Sequence, residues 1–523
     1  MAVDGLIPVV DLFAGPGGLG EGFSALGRSE GRPRFKVCLS IEKDAVAHQT
    51  LRLRAFFRFF KHGDVPSAYY SHLRGELSYE ELFNSNPEAA NAADREAWHA
   101  ELGVKDPEEV RKRIREAIGG EDKWVLVGGP PCQAYSKAGR SRNRYRYRNK
   151  FNTRYVPEED PRQYLYVEYL QVLADHRPAV FVMENVKGLL SATLENRRIF
   201  DRILEDLHFP AEAVRREGRS VATQYRSRYH IYSLERAAMF GGSNPVDFVV
   251  RSECHGIPQA RHRVILLGVR EDLRGASPNT LIVRDPVPAK AVLAGLPRLR
   301  SGLSKTADSA EEWVHTLERA IDESWMKTLL SDGCADVYKE VIHALSSLSV
   351  PRKGRGAEFV DCEPRTEVEP NWFLDPRIGG VCNHATRLHM PRDLHRYLFV
   401  ACFGKARGRS PTLRDFPKQL LPAHFNVPTA LKHGNFDDRF RVQLAGRPST
   451  TITSHIAKDG HYYIHYDPTQ CRSLTVREAA RLQTFPDNYL FCGHRTAQYT
   501  QVGNAVPPLM AREIAGIVWD LLR

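Results

Sequence analysis

Five short apolar runs, each ending at a glycine turn or in polar residues, limit what this chain can fold into. They are Val9 to Leu12, Phe35 to Ile41, Trp124 to Val127, Ala179 to Met183 and Val264 to Val269. Each has the length of a strand rather than a helix. Segments with apolar residues at helical spacing lie between them, as in Tyr164 to His176 and Asn196 to Leu207. That alternation over residues 1–270 predicts an α/β fold with a doubly wound, mostly parallel sheet. Such sheets keep ligand-gripping and reactive groups at the carboxyl ends of their strands. The residues bordering each run are therefore the first candidates for function.

The first run leads into Asp11-Leu-Phe13-Ala-Gly15-Pro16-Gly17-Gly18, a glycine-rich turn before a helix start. Glycines let the backbone approach a ligand closely, and a helix amino end offers free N–H groups. Pro16 departs from the dinucleotide pattern Gly-x-Gly-x-x-Gly. The second run stops at Glu42, where this class of fold grips ribose hydroxyls. A further acid, Asp64 in His62-Gly-Asp64-Val, stands where a third strand is expected to end. In that order, glycine turn, second-strand acid and third-strand acid favour a cofactor containing adenosine. The third run leads into Gly128-Gly-Pro-Pro-Cys132-Gln, a rigid turn that presents a thiol. The fourth enters Glu184-Asn-Val186; a carboxyl at the end of a buried strand is of the kind that can donate a proton. Gln259-Ala-Arg261-His-Arg263 precedes the fifth, and the two-residue spacing puts both arginines on one face. Near the carboxyl end, Gln501-Val-Gly-Asn504-Ala-Val506-Pro-Pro reads as a turn that opens the final helix.

These segments, with Arg472-Ser-Leu-Thr-Val-Arg-Glu-Ala-Ala-Arg-Leu-Gln-Thr-Phe-Pro-Asp487, resemble the DNA (cytosine-5) methyltransferases of bacterial restriction-modification systems, in the family's order. The resemblance implies a Rossmann-like fold that uses S-adenosylmethionine and acts on double-stranded DNA. It implies that the thiolate of Cys132 adds to carbon 6 of a flipped-out cytosine, so that carbon 5 can take a methyl group. Glu184 would contact ring nitrogen 3 and the exocyclic amine. Arg263 would hold the ring carbonyl, with Arg261 supporting it. Asp11, Phe13, Gly15, Gly17 and Gly18 would shape the cofactor pocket, Glu42 would hold the ribose and Asp64 the adenine amine. Asn504 and Val506 would lie on the methionine side, which requires the last helix, Pro508 to Leu522, to pack beside the first motif.

Lys137 to Arg154 carries eight Lys or Arg and no acid, interleaved with Tyr145, Tyr147 and Phe151. The resemblance places this run in the loop that closes over DNA, where its cations would meet phosphates. The net charge of +11 over 523 residues suits a polyanionic partner. Residues 271–445 read as a target-recognition domain between the catalytic residues 1–270 and a return at 446–523. Within it, 390–445 hold ten Lys or Arg against four Asp or Glu. Asn383-His-Ala-Thr-Arg-Leu-His389 has groups suited to base edges, or equally to a structural histidine cluster. Arg447 to Thr453 reads as a strand returning to the catalytic part. The segment from Val65 to Lys123 is charged and helical in pattern, as in Pro107 to Ile118, and is expected to be peripheral.

Nine cysteines without a Cys-x-x-Cys pair argue against zinc and for free thiols in a reducing cytoplasm. No signal peptide and no apolar run of membrane length is visible. The resemblance also implies a monomer and, since no nuclease motif is present, a separately encoded restriction endonuclease as partner. Two alternatives share the core motifs: methylation of an RNA cytosine, and a catalytically silent DNA-binding protein. The large basic middle region weighs against the first, and the intact cysteine, glutamate and glycine turn against the second.

Overall fold

A strand covered by helices on both sides of its sheet must be buried on both faces. The computed structural model describes residues 5–131, 164–194, 197–223, 227–236, 244–273, 277–434 and 436–523. The strands that position the site are β1 (Ile7–Leu12), β2 (Phe35–Glu42), β3 (Ala97–His99), β4 (Val125–Gly128), β5 (Val180–Val186), β6 (Tyr229–Tyr232), β7 (Val249–Arg251), β8 (Gln259–Ala260) and β9 (His262–Arg270). All but β8 form one sheet in the order β3-β2-β1-β4-β5-β9-β6, with β7 also paired to β9. The first five run parallel, and β9 is antiparallel to β5, β6 and β7. The order reverses at β1, so the carboxyl ends of β1 and β4 open a crevice at the switch point.

The period-2 alternation of each strand divides the core in two. Val9, Val37, Val127, Val182 and Ile265 face α1 (Gly18–Ala25) and the carboxyl-terminal helix. Val10, Leu39, Leu126, Met183 and Leu266 face the other way, against helices that follow β3, β4 and β5. With α2 (Ala45–Phe59) after β2, these are α3 (Pro107–Ile118), α4 (Tyr164–His176) and α5 (Ile199–His208).

The third strand is not where the sequence placed it. Asp64 lies in an exposed turn after α2, its backbone N–H donating to Lys61 O at 3.1 Å. The strand forms 33 residues later, as β3, inside the segment read as peripheral. That segment is part of the fold: β3 pairs with β2, and Ile114 and Ile118 of α3 are buried in the second core. Helical patterning concealed a strand of only three residues.

The middle of the chain divides between two cores. Residues 281–296 and 360–381 contribute Leu281, Val292, Leu293, Val360 and Val381 to the core beneath the sheet. A separate core holds Trp313, Trp325 and Val341, packed against α6 (Pro391–Arg407) through Tyr397 and Phe399. An antiparallel pair, β10 (Gly356–Asp361) with β11 (Gly380–Ala385), carries Val360 and Val381 into the first of these cores. Asn383 to His389 is the structural cluster rather than a free edge. His384 is buried and shares hydrogen bonds with Thr475 Oγ1 and Pro297 O. Arg387 donates to Lys458 O and stacks over Tyr499.

Helix α7 (Val476–Leu482) ties these parts together. Arg472, just before it, donates to both oxygens of Glu478 at 2.7 and 2.6 Å and to Leu299 O at 3.1 Å. Arg477 donates to the carbonyls of Cys382, Pro486 and Tyr489. Arg481 donates to both oxygens of Asp487, at 2.9 and 2.6 Å, and to Val292 O at 2.8 Å. All three guanidinium groups are buried. The chain then forms α8 (Arg495–Asn504) and α9 (Pro508–Leu522). Thus Gln501 to Asn504 is the last turn of α8, and only Ala505 to Pro507 forms the turn that opens the final helix. As expected, α9 packs on α1: a Cβ on Gly22 would lie 2.4 Å from Ala511 Cβ. Among the described residues no helix is long and apolar enough to cross a membrane.

Replacing Arg481 by Met leaves the buried Asp487 carboxylate with only Arg477, 4.0 Å away, and without its two short hydrogen bonds, which should cost about 3 kcal/mol. The urea midpoint should fall accordingly, and Asp487→Leu in the same chain should recover much of the loss. Equal midpoints for Arg481→Met and the wild type would show that the pair carries no stability.

Candidate active site

The cavity at the switch point has a volume of about 1110 Å³ and takes its walls from four strand ends and the carboxyl-terminal segment. From β1 it receives Asp11, Phe13, Gly15 and Gly18; from β2, Glu42; from β4, Gly129 to Pro131; and from β5, Glu184 and Asn185. Arg261 and Arg263 enter beside β5, and Asn504 with Val506 enter between α8 and α9. Twelve residues named from the sequence lie among the described ones. Ten line this cavity; Gly17 and Asp64 do not.

Gly17 supports the loop from behind. It caps α1 at φ 94, and a Cβ there would come within 2.7 Å of Leu51 Cδ2. A Cβ on Gly18 would come within 2.2 Å of Val506 O, so the two ends of the chain meet there backbone to backbone. Phe13, at φ 58, turns the chain out of β1 in a conformation that side chains other than glycine seldom adopt. Glu42 fixes the loop across the crevice by accepting from the N–H of Gly15 and of Asp44, both at 2.8 Å. Asp64 is replaced in this wall by Ala100 to Leu102, the residues that follow β3.

Glu184 and Arg263 form an ion pair at 2.8 Å, both largely buried. Arg263 lies opposite Val186 in the β5–β9 ladder, so pairing register delivers the guanidinium to the glutamate. A Cβ on Gly129 would be 3.1 Å from Glu184 Oε2, which brings the Gly-Pro-Pro turn against this pair. Cys132 and the basic run Lys137 to Arg154 lie outside the described residues. Pro131, the neighbour of Cys132, lines the cavity.

Arg261 has a different place from Arg263. It is 2% exposed and donates to Ile452 O at 2.7 Å and Gly503 O at 3.4 Å. Burial, reinforced by the neighbouring Arg263, lowers its pKa to about 9. Gln259 acts alongside it, accepting from Ile452 N at 2.7 Å and donating to Gln483 Oε1 at 2.8 Å. The segment Arg447 to Thr453 is thereby held against the sheet, where β12 (Ser449–Thr450) runs parallel to β8. Sequence reasoning missed Thr451, Thr453, Ser454, Tyr463 and Phe436, which also line the cavity. The one sequence signal for the 453–454 contact was Gly503: a Cβ there would strike the backbone of Thr453 and Ser454 at 2.3 Å.

A family model described as C-5 cytosine-specific DNA methylase matches residues 89–209 and 247–518. The chain is 30% identical to the type II methyltransferase M.Bpa9945I of Bacillus paralicheniformis, over 98% of this chain and 99% of that one. It is 26% identical to the DNA (cytosine-5-)-methyltransferase M.ApeKI of Aeropyrum pernix, over 98% of each. Among solved structures, a DNA modification methyltransferase encoded within a prophage (E. coli) aligns over 99% of both chains, with a TM-score of 0.50 and 17% identity.

Asp11 distinguishes this cavity electrostatically. It is 1% exposed, accepts from Gly20 N at 3.3 Å through Oδ2, and has no hydrogen-bond partner for Oδ1. Burial pushes its pKa up to about 7, against the opposing pull of the Gly20 N–H and the Arg58 charge. A buried, unpaired carboxylate oxygen beside the glycine loop fits a ligand that brings positive charge, and Glu42 fits one that brings hydroxyl donors. The sign for stability follows from the raised value. Asp11 costs nothing below its unfolded pKa of 3.8, and the cost grows as pH rises through about 7. Its full magnitude is on the order of 4 kcal/mol. The melting temperature of ligand-free Asp11→Asn should therefore gain on the wild type between pH 5 and pH 8. A difference that stays flat across that range would contradict the assignment.

Proposed function

The chain belongs to the C-5 cytosine-specific DNA methylase family, and from that premise we propose that Cys132, Glu184 and Arg263 perform the chemistry in this cavity. The reaction is transfer of a methyl group to carbon 5 of cytosine in DNA. Carbon 5 is a weak nucleophile until the ring is activated. The Cys132 thiolate forms a bond to carbon 6, and the displaced electron pair makes carbon 5 nucleophilic. Glu184 hydrogen-bonds ring nitrogen 3 and the exocyclic amine, stabilising the ring as the thiolate adds. Arg263 holds the carbonyl oxygen, and its ion pair with Glu184 keeps both groups oriented before the base arrives. After alkylation a base removes the carbon 5 proton, the sulfur–carbon 6 bond breaks, and Cys132 leaves as thiolate. Arg261 acts as a positioning residue through the 452 and 503 backbone.

S-adenosylmethionine, when bound, supplies the electrophilic methyl group. Glu42 would hold its ribose, while Phe13, Gly15 and Gly18 shape the pocket and Gly17 sets the loop. Asp11, Asn504 and Val506 would lie on its methionine side. Ala100 to Leu102 would take the adenine contact first assigned to Asp64.

The target atom is closed off in a duplex, so the cytosine must be swung out. Lys137 to Arg154 would contact phosphates. Residues 271–445 would recognise the target, between catalytic parts at 1–270 and 446–523. Relatives named type II methyltransferases support a role beside a separately encoded restriction endonuclease. The observation that carries this reading is the meeting in one cavity of the glycine loop, Glu42, the Gly-Pro-Pro turn and the Glu184–Arg263 pair.

Bisulfite sequencing of DNA from a methylation-free host should reveal methylated cytosine at one recurring site. Cys132→Ala should abolish it while retaining cofactor binding by calorimetry. Glu184→Gln should lower the rate by about 100-fold or more. Undiminished methylation by Cys132→Ala would remove the nucleophile assignment.

A further inference from the structure

A cytosine that leaves the helix opens a gap in the stack, and proteins that unstack DNA place apolar wedges between base steps. Twelve large apolar side chains are exposed among the described residues, and one of them, Phe436, lines the cavity. Phe436 is 74% exposed, so it contributes little to any core. Phe425, on the same stretch of chain, is 83% exposed but lies outside the cavity, stacked on His424.

The backbone around Phe436 is built to hold the ring out. Phe436 itself is left-handed at φ 60, two residues after Gly434 ends the helix Val427–His433. The chain is fastened immediately afterwards. Asp437 O accepts from Leu413 N at 2.7 Å, and Asp438 accepts from Tyr462 Oη at 2.9 Å and pairs with Arg441. Arg441 and Tyr462 line the same cavity. Phe436 and Arg441 thus present an exposed aromatic side chain and a cation to the space that also holds Glu184 and Arg263. Glu184 and Arg263 come from the sheet, whereas the ring comes from the middle of the chain.

We propose that Phe436 enters the base stack in place of the departing cytosine and so holds the duplex open while the target occupies the cavity. This rests on the reading of the cavity as the methylation site. Arg441 lies where it can meet a phosphate beside the gap.

The test uses the full-length enzyme and duplex oligonucleotides carrying the site mapped by bisulfite sequencing. In one duplex the target cytosine faces guanine; in the other it faces an abasic position, which lowers the cost of unpairing it. Single-turnover methylation by Phe436→Ala should fall about 10- to 100-fold on the paired duplex and recover to within about threefold of wild type on the unpaired one. Phe436→Trp should keep the paired rate, and Phe425→Ala should match wild type on both. Equal loss on both duplexes, or no loss on either, would overturn the assignment. A wild-type enzyme that methylates neither duplex would instead overturn the reading of the site on which this inference rests.

Discussion

Three buried guanidinium groups around one seven-residue helix hold the parts of this protein in register. Arg472, Arg477 and Arg481 are at most 1% exposed and draw on partners from Val292, Leu299 and Cys382 as well as from their own segment. A guanidinium in a dry interior must have its charge and its donors matched, because leaving either unmet costs several kcal/mol. Each arginine therefore tolerates few positions of the backbone around it. Glu478 answers the same constraint. Burial alone would raise its carboxyl pKa, yet Arg472 beside it holds it well below the usual range. The middle segments that carry those carbonyls are tied to the catalytic core by hydrogen bonds with strict direction, not by apolar contact alone.

That fastening matters because the cavity is assembled from both ends of the chain. The glycine loop after β1 meets Val506 so closely that glycine is the residue that fits at position 18. The segment 447–455 is drawn in by Gln259 and Arg261, whose donors and acceptors end on Ile452, Gln483 and Gly503. The paired arginines of the Gln-Ala-Arg-His-Arg stretch thus do separate work. Arg263 faces the cavity against Glu184, and Arg261 holds the wall that carries Asn504.

The strand-end residues were legible because strand termination leaves a local mark: an apolar run, then glycine, proline or an acid. Glu42 and Glu184 were found in this way, and Arg263 from the Gln-Ala-Arg-His-Arg stretch before the fifth run; all three line the cavity. The parallel sheet was legible for the same reason, whereas the docking of the last helix beside the first motif followed from the family resemblance. Asp64 was misplaced because a third strand of three residues, Ala97–His99, leaves no run to detect. The segment Val65 to Lys123 looked peripheral because its charged helical faces dominate its pattern, while the few buried positions that bind it to the sheet are too sparse to show a period. Asn383 to His389 could have been a base-reading edge or an internal cluster, since polar side chains look alike in sequence whether they face solvent or buried partners.

The sequence by itself determined the α/β class, the sites where strands end and the residue types available for methyl transfer, because these depend on local spacing and on chemistry intrinsic to each side chain. Tertiary structure decided which of those residues share one cavity, that Ala100 to Leu102 and not Asp64 close its third-strand wall, and that Phe436 stands exposed at its edge. Those outcomes depend on contacts between residues tens to hundreds of positions apart. Such contacts are set by pairing register, by close backbone approach at glycines and by the matching of buried charges, none of which has a period that a linear sequence can display.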